Sequence, residues 1–156
     1  MENKVELIGH YGGDITHAMS AWTSTTRARE ASEEDLKRII GNMARDNHGT
    51  PFEKSFIHFL VTTDIATHIH LIKHRIGVSV NTESARYKEL KDDKFYIPVD
   101  WPEEEQNRLE DFALKSYEEY HNCLNRLKKN YGFSRKRAKE TARFYLPYAN
   151  QVTQDV

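Results

Sequence analysis

The strongest structural signal in the sequence is a long amphipathic helix that is predicted to run from Pro102 to about Asn130. Pro102 suits the first helical position because it has no backbone N–H, and Asn130-Tyr131-Gly132 supplies a stop. The apolar residues recur at helical spacing and form one wide stripe: Leu109, Phe112, Ala113, Tyr117, Tyr120, Leu124 and Leu127. Other elements are needed to cover this stripe, so the helix predicts a layered fold around it.

Shorter patterns predict the elements before this helix. Ser32 resembles an N-cap, and the helix behind it is expected to stop at Asn47-His48-Gly49. Phe52 to Thr63 is rich in aromatic and β-branched residues and predicts a strand covered on both faces. Asp64 is expected to cap a helix that ends in Lys73-His74-Arg75.

The rest of the chain is predicted to alternate loops with short elements. A polar loop is expected from Ile76 to Tyr87, and a short strand from Lys94 to Val99. Ser134 is expected to cap a further helix that Pro147 ends. Because helices and strands do not alternate regularly, we predict an α+β fold in which helices pack around a small, mostly antiparallel sheet. A length of 156 residues without repeats or linkers predicts one domain, residues 1–156.

Composition excludes several classes of protein. The apolar runs are too short for a membrane span, and the single cysteine, Cys123, allows no internal disulfide and favours a reducing cytoplasm. The net charge of −1 hides two opposite segments: Pro102 to Glu119 has seven acids and two bases, and Leu124 to Arg143 has eight bases and one acid. This pattern is typical either of a solvated helix matched to its dipole or of an anion site.

Polar residues crowd the segment from His68 to Tyr87. Its cations and hydroxyls suit a phosphate and a polar ring. These residues are Lys73, His74, Arg75, Ser79, Ser84 and Arg86. The alternative interpretation is a solvated helix end whose bases complement the helix dipole. His70 and His74 have metal-ligand spacing, but Lys73 would disfavour a bound cation. His48, His58 and His68 are more typical of structural histidines. No nucleophile elbow or phosphate-binding glycine loop occurs, so an enzyme of this sequence would need a cofactor.

Three motifs resemble those of a known family, in the family's order. Lys73-His74-Arg75, eight residues, then Ser84-Ala85-Arg86-Tyr87 is similar to the signature of the flavin-dependent thymidylate synthases, the ThyX family. His48 to Glu53 and Ala142 to Pro147 are similar to two further family segments, and Asp14 to Ser24 is a weaker match.

This resemblance implies reductive methylation of dUMP to dTMP without a cysteine nucleophile. The one-carbon unit would come from methylenetetrahydrofolate and the reducing equivalents from FAD, itself reduced by NADPH. The family fold is α+β, and the assembly is a homotetramer with active sites shared between subunits. The implied partners are therefore small molecules and other copies of the chain, with no nucleic acid, membrane or metal.

The resemblance also implies roles for individual residues. Residues at positions that approach FAD are Ser24, Thr50, Glu53, Lys73, His74, Arg75 and Asn81. Residues at or beside the nucleotide are His70, Lys73, Glu83, Ser84, Arg86 and Arg143. Ser84 and Arg86 are the expected catalytic residues: Arg86, with Arg143, would pair with the phosphate, and Ser84 would position and polarise the pyrimidine without covalent attack.

The chain departs from the family pattern in its signature and at its end. Lys73 replaces an Arg, His70 stands where Gln is usual, and one extra residue before Ser84 leaves Thr82 or Glu83 to match the family's acid. We prefer Glu83 because only it is acidic. Family members continue well past the Leu-Pro pair, whereas here nine residues follow Pro147, so a truncated C-terminal end is expected.

Two other functions remain open. One is a nucleotide- and flavin-binding remnant or one half of a split enzyme, and the other is nucleic-acid binding through Leu124 to Arg143. The acidic segment before this stretch argues against nucleic-acid binding.

Overall fold

The structure is a computed structural model that describes residues 2–25, 31–84, 86–90 and 94–156, so Ala85 of the signature lies outside the described residues. The helices are α1 (Asp14–Trp22), α2 (Glu33–Arg45), α3 (Ile65–Leu71), α4 (Glu103–Lys129) and α5 (Arg135–Ala142). The strands are β1 (Lys4–Tyr11), β2 (Phe56–Asp64), β3 (Asn81–Thr82) and β4 (Gln151–Asp155), and 3-10 helices span Thr50–Lys54 and Arg143–Tyr145. The predicted α+β class is confirmed.

The chain forms two compact units. One is Leu7–Phe59, and the other is Leu60–Val156 together with the chain up to Glu6. None of the described helices combines the length and apolar character that a membrane span requires.

The sheet has the strand order β1-β2-β4-β3. Strand β4 pairs antiparallel with β2, from Leu60 opposite Asp155 to Asp64 opposite Gln151, and antiparallel with β3 on its other side. Its residues Gln151 and Gln154 are 3% and 1% exposed. Within the described residues, strand β4 is paired on both sides only at Gln154 and Asp155, where β3 lies opposite. Buried polar side chains on β4 therefore need hydrogen-bond partners of their own.

Helix α4 packs against α5 to form the hydrophobic core of the larger unit. Tyr120 and Leu124 of α4 meet Ala138 and Ala142 of α5, and all four are at most 2% exposed. The small alanine side chains allow the two helices to approach closely. The predicted apolar stripe of α4 is confirmed along most of its length but is wrong at Phe112, which is 57% exposed although its neighbour Ala113 is fully buried. Successive residues of a helix are about 100° apart, so Phe112 lies off the face that buries Ala113.

The smaller unit is organised around α1, which packs on α2 and on the Thr50–Lys54 helix. Ser32 caps α2 as predicted, in a reciprocal box with Asp35. Gly12 adopts a φ of 92°, and a Cβ at this position would lie 2.5 Å from Ser55 Cβ. Only glycine fits both the backbone conformation and the space there.

Several predicted boundaries are wrong. The strand β2 begins at Phe56 and not at Phe52, because Thr50–Lys54 forms a 3-10 helix with Pro51 at its start. The first two residues of β2, Phe56 and Ile57, are exposed, whereas the prediction had the strand covered on both faces. The helix α3 ends at Leu71, and Lys73-His74-Arg75 follows it, because the hydrogen bonds tighten to a 3-10 pattern in which Lys73 N–H donates to His70 O.

The last predicted helix also ends early. Helix α5 stops at Ala142 and continues only as a 3-10 turn, and Leu146 is extended because the residue before a proline avoids helical dihedrals. The predicted strand from Lys94 to Val99 is reduced to a single bridge between Phe95 and Asn150. The sequence patterns did not predict β1, α1, β3 or β4.

Candidate functional site

Helix α3 carries the first part of the predicted signature, and Asp64 fixes where this helix begins. The Asp64 carboxylate accepts hydrogen bonds from Thr67 N–H, the Thr67 hydroxyl and the Asn3 amide, each at 2.8 Å. Burial opposes ionisation of this carboxyl, which is 5% exposed, but these hydrogen bonds outweigh burial and lower its pKa. The start of α3 is therefore held by a buried charged cap.

A cavity of about 570 Å³, cavity A, lies between α3, β3, β4 and the turn after α5. Three of the predicted nucleotide-binding residues line it: Glu83, Ser84 and Arg143. Apolar side chains that include Ile65, Leu146 and Val152 form much of the rest of its wall. A concave site with a few convergent polar groups in an apolar lining is typical of a small-molecule site.

Strand β4 holds the acid of this cavity in place. Thr153 N–H donates to Glu83 Oε1 at 2.9 Å, and Lys88 Nζ pairs with Glu83 Oε2 at 3.0 Å. The next residue, Ser84, accepts a hydrogen bond on Oγ from Arg86 N–H at 3.3 Å. Glu83 is thus oriented by a backbone N–H and a lysine side chain, and Ser84 by a backbone N–H.

The two predicted phosphate-binding arginines differ in their surroundings. Arg86 pairs with Glu140 at 3.0 Å and does not line cavity A. Arg143 lines cavity A, and within the described residues it has no ion pair. An unpaired guanidinium at the rim of a cavity is suited to an anionic ligand, since its donors match phosphate oxygens.

A second cavity of about 540 Å³, cavity B, lies behind the end of α3. His74 and Arg75 of the predicted flavin-binding set line it, together with Ser79. Arg75, like Arg143, has no ion pair to any residue in the described ranges. The cation and the hydroxyl suit a diphosphate or the polar edge of a ring, so the residues present fit part of a flavin nucleotide.

His68 and Thr82 line both cavities. His68 Nδ1 lies 2.7 Å from Gln154 Oε1, and Gln154 is 1% exposed on β4. Gln154 Nε2 is buried without a hydrogen-bond partner among the described residues. A buried N–H donor without a partner destabilises a fold by about 1–3 kcal/mol. The Gln154 amide is therefore an unfavourable group to bury in the wall between the cavities.

From its sequence context His68 is expected to be structural, and Thr82 is only the alternative to Glu83 as the match to the family's acid. One signal was present, because His68 follows Ile65 by three residues and precedes Ile72 by four. This spacing puts it on the same helix face as the apolar residues that line the cavities.

The remaining predicted residues do not line either cavity. His70, Lys73 and Asn81 are exposed near the end of α3 and on β3. Ser24, Thr50 and Glu53 belong to the smaller unit and are exposed there. Their predicted roles therefore stay predictions.

Helix α5 holds the segment that follows Ser84. Lys139 is 7% exposed, and its Nζ donates to Tyr87 O at 2.6 Å. Lys136 Nζ lies 5.7 Å from the centre of the Tyr87 ring, and Arg135 pairs with Glu89 at 3.4 Å. Part of the basic segment in the sequence therefore anchors the signature loop and is not free for a ligand.

Comparison with known proteins identifies one family. The model of the Thy1 family, thymidylate synthase complementing protein, matches residues 6–154. A flavin-dependent thymidylate synthase of Streptomyces avermitilis is 37% identical over 101 residues, which is 60% of this chain and 40% of that protein. One of Pseudothermotoga lettingae is 31% identical over 156 residues, which is 93% of this chain and 65% of that protein.

A solved structure shares the fold along almost the whole chain. The crystal structure of a UMP/dUMP methylase, PolB from Streptomyces cacaoi, bound with 5-Br dUMP, has a TM-score of 0.76 and 27% identity. The likeness covers 99% of this chain and 71% of the PolB chain. This chain thus spans between 40% and 65% of the length of the two curated relatives described above.

Proposed function

The chain belongs to the thymidylate synthase complementing protein family, Thy1, and on that basis we propose that it binds dUMP and FAD for the reductive methylation of dUMP to dTMP. In this proposal methylenetetrahydrofolate supplies the one-carbon unit and NADPH reduces the flavin. Two findings support the choice of substrate class: curated relatives are named flavin-dependent thymidylate synthases, and the structural neighbour PolB binds 5-Br dUMP.

The observation that carries the proposal is the composition of cavity A. It combines the oriented Ser84 hydroxyl, the Glu83 carboxylate and the Arg143 guanidinium, which has no ion pair among the described residues, in one cavity of about 570 Å³. Arg143 would bind the phosphate, and Ser84 would orient the pyrimidine and polarise it through a hydrogen bond. No thiol is needed, and Cys123 packs against the hydrophobic core between α4 and α5.

Cavity B is the proposed position for part of FAD, which supplies reducing equivalents when bound. Arg75 and Ser79 would bind its phosphates, and His74 would contact a polar edge. The other predicted flavin contacts, Ser24, Thr50 and Glu53, would contribute from another subunit of the assembly.

Association into a homotetramer is part of the proposal. In the smaller unit, Ile8, Tyr11, Ile15 and Met19 are each at least 55% exposed. Large apolar side chains exposed in such number are typical of surfaces that another chain covers. We place the protein in the cytoplasm, where a single thiol remains reduced.

Direct binding measurements test the proposal. Purified protein should take up FAD and become yellow, and dUMP should change the flavin absorbance. Arg143→Ala should weaken dUMP binding by about 2 kcal/mol, roughly thirtyfold in Kd, and FAD binding far less. Lys129→Ala removes an exposed charge at the end of α4 and is the matched control. A folded sample that takes up neither FAD nor dUMP would refute the proposal, and equal losses of both ligands would reassign Arg143.

A second candidate is ligand binding without turnover. It is favoured by the state of one expected catalytic residue, because the Arg86 guanidinium is paired with Glu140. Release of tritium from 5-tritiated dUMP, with NADPH and methylenetetrahydrofolate present, separates the two functions. Release above a protein-free blank excludes the binding-only candidate, and its absence in a sample that binds both ligands supports it.

A further inference from the structure

His68 occupies the wall that cavities A and B share. The ring is held at both ends: its backbone lies in α3, where His68 O accepts from Ile72 N–H at 3.1 Å, and its Nδ1 lies 2.7 Å from Gln154 Oε1. Gln154 is itself fixed on β4, opposite Val61 of β2 and Thr82 of β3. His68 thus combines a fixed ring orientation with a place in the lining of both cavities.

The hydrogen bond to Gln154 determines what the rest of the ring offers. A carboxamide oxygen can only accept, so Nδ1 carries the proton in this arrangement. In a neutral imidazole the other nitrogen, Nε2, then bears a lone pair. Among the residues that the structure describes, Nε2 has no hydrogen-bond partner. Nε2 of His68 is therefore a hydrogen-bond acceptor of fixed orientation in the wall that the two cavities share.

The ligand group that complements a fixed acceptor is an N–H donor. Uracil and the isoalloxazine ring of flavins share such a group, a cyclic imide N–H between two carbonyls. Resting on the proposed function, we propose that His68 is a specificity-determining residue whose Nε2 accepts a hydrogen bond from this imide N–H, with Gln154 as the residue that positions its ring. Cytosine has an acceptor at the same ring position, so His68 would disfavour dCMP.

Two substitutions separate this role from a structural one. Asparagine places its amide close to the position of Nδ1 and can still bond to Gln154, whereas glutamine places its amide close to the position of Nε2. If Nε2 contacts the ligand, His68→Asn should weaken binding about five- to tenfold, and His68→Gln should stay within about twofold of the wild type. A purely structural role predicts the reverse order.

The measurement is titration of the unmodified chain and both variants with dUMP, dCMP and FAD. His10→Gln, an exposed substitution on β1, is the control. A loss in His68→Asn confined to dUMP, with dCMP affinity unchanged or improved, places the contact in cavity A, and a loss confined to FAD places it in cavity B. Either result supports the inference.

Three results would overturn it. One is equal affinities in both variants and the wild type, another is a larger loss in His68→Gln than in His68→Asn, and the third is an equal loss in both. In all three the wild type still binds dUMP and FAD, so the proposed function survives. If the folded wild type binds neither ligand, the proposed function fails, and this inference fails with it. Gln154→Leu checks the positioning step, because it should lower the affinity for the same ligand as His68→Asn does.

Discussion

Replacing Asp64 by alanine should destabilise the protein by about 2.5 kcal/mol. The cap bond from Thr67 N–H is worth about 1 kcal/mol, as at other helix N-termini. The bond from the Asn3 amide to a buried carboxylate adds a further 1–2 kcal/mol, roughly the value of a bond to a charged group. For a chain of this size the sum corresponds to a fall in Tm of about 5–10 °C.

Urea unfolding followed by circular dichroism gives the free energy of unfolding of each variant. Ser134→Ala is the matched control, because Ser134 caps α5 from an exposed position with one bond, to Arg137 N–H at 3.3 Å. Its cost should be at most about 1 kcal/mol. If Asp64→Ala costs no more than Ser134→Ala, the idea that a buried charged cap secures α3 is wrong.

The pH dependence gives an independent check. Because the pKa of Asp64 is lowered in the folded state, its charge stabilises the fold above the unfolded value of about 3.9. This contribution is lost as the pH falls from there through the lower native pKa. Asp64→Asn keeps an acceptor but no charge, so the wild type should be more stable near neutral pH and the difference should shrink in acid. A difference that stays constant with pH would contradict this account.

Two further substitutions test the packing of the loops. Gly12→Ala should lower the free energy of unfolding by at least about 2 kcal/mol, measured by urea unfolding, because it combines a positive φ with a steric clash. Gly13→Ala is the control, since Gly13 also has a positive φ but lies in open space. An equal cost of the two substitutions would show that the clash is unimportant. Lys139→Met should weaken dUMP binding several-fold, because it removes the ammonium that donates to the carbonyl of Tyr87. Lys136→Met, which removes only the cation near the Tyr87 ring, should not weaken binding. Similar effects of the two substitutions in calorimetric titration would argue against a role for the buried ammonium.

Local chemistry explains what the sequence predicted well. The caps at Ser32, Asp64 and Ser134 were identified because an N-cap depends only on a side chain and the next three residues. The apolar stripe of α4 was identified because its spacing persists over many turns. Helix ends were less accurate, because the spacing of apolar residues did not predict the 3-10 hydrogen bonding after Leu71 and after Ala142.

Tertiary contacts explain what was missed. The strand β4 reads as polar and carries no alternating pattern, yet Gln151 and Gln154 are buried because neighbouring elements satisfy most of their groups. The motifs predicted Glu83, Ser84 and Arg143, which the structure brings together in cavity A. The engagement of Arg86 by Glu140 involves residues far apart in the chain, so no local pattern could predict it.

The central position of β4 has a consequence for how the protein is made. Strand β4 lies between β2 and β3, so neither strand can form its hydrogen bonds to β4 until residues 151–155 have been synthesised. Thr62 and Thr153, whose hydroxyls lie 3.1 Å apart across the ladder, are separated by 91 residues. Pairings this distant close slowly, and the open edge of β2 remains exposed meanwhile. On the ribosome, the larger unit should therefore depend on chaperones for longer than its helices alone would require.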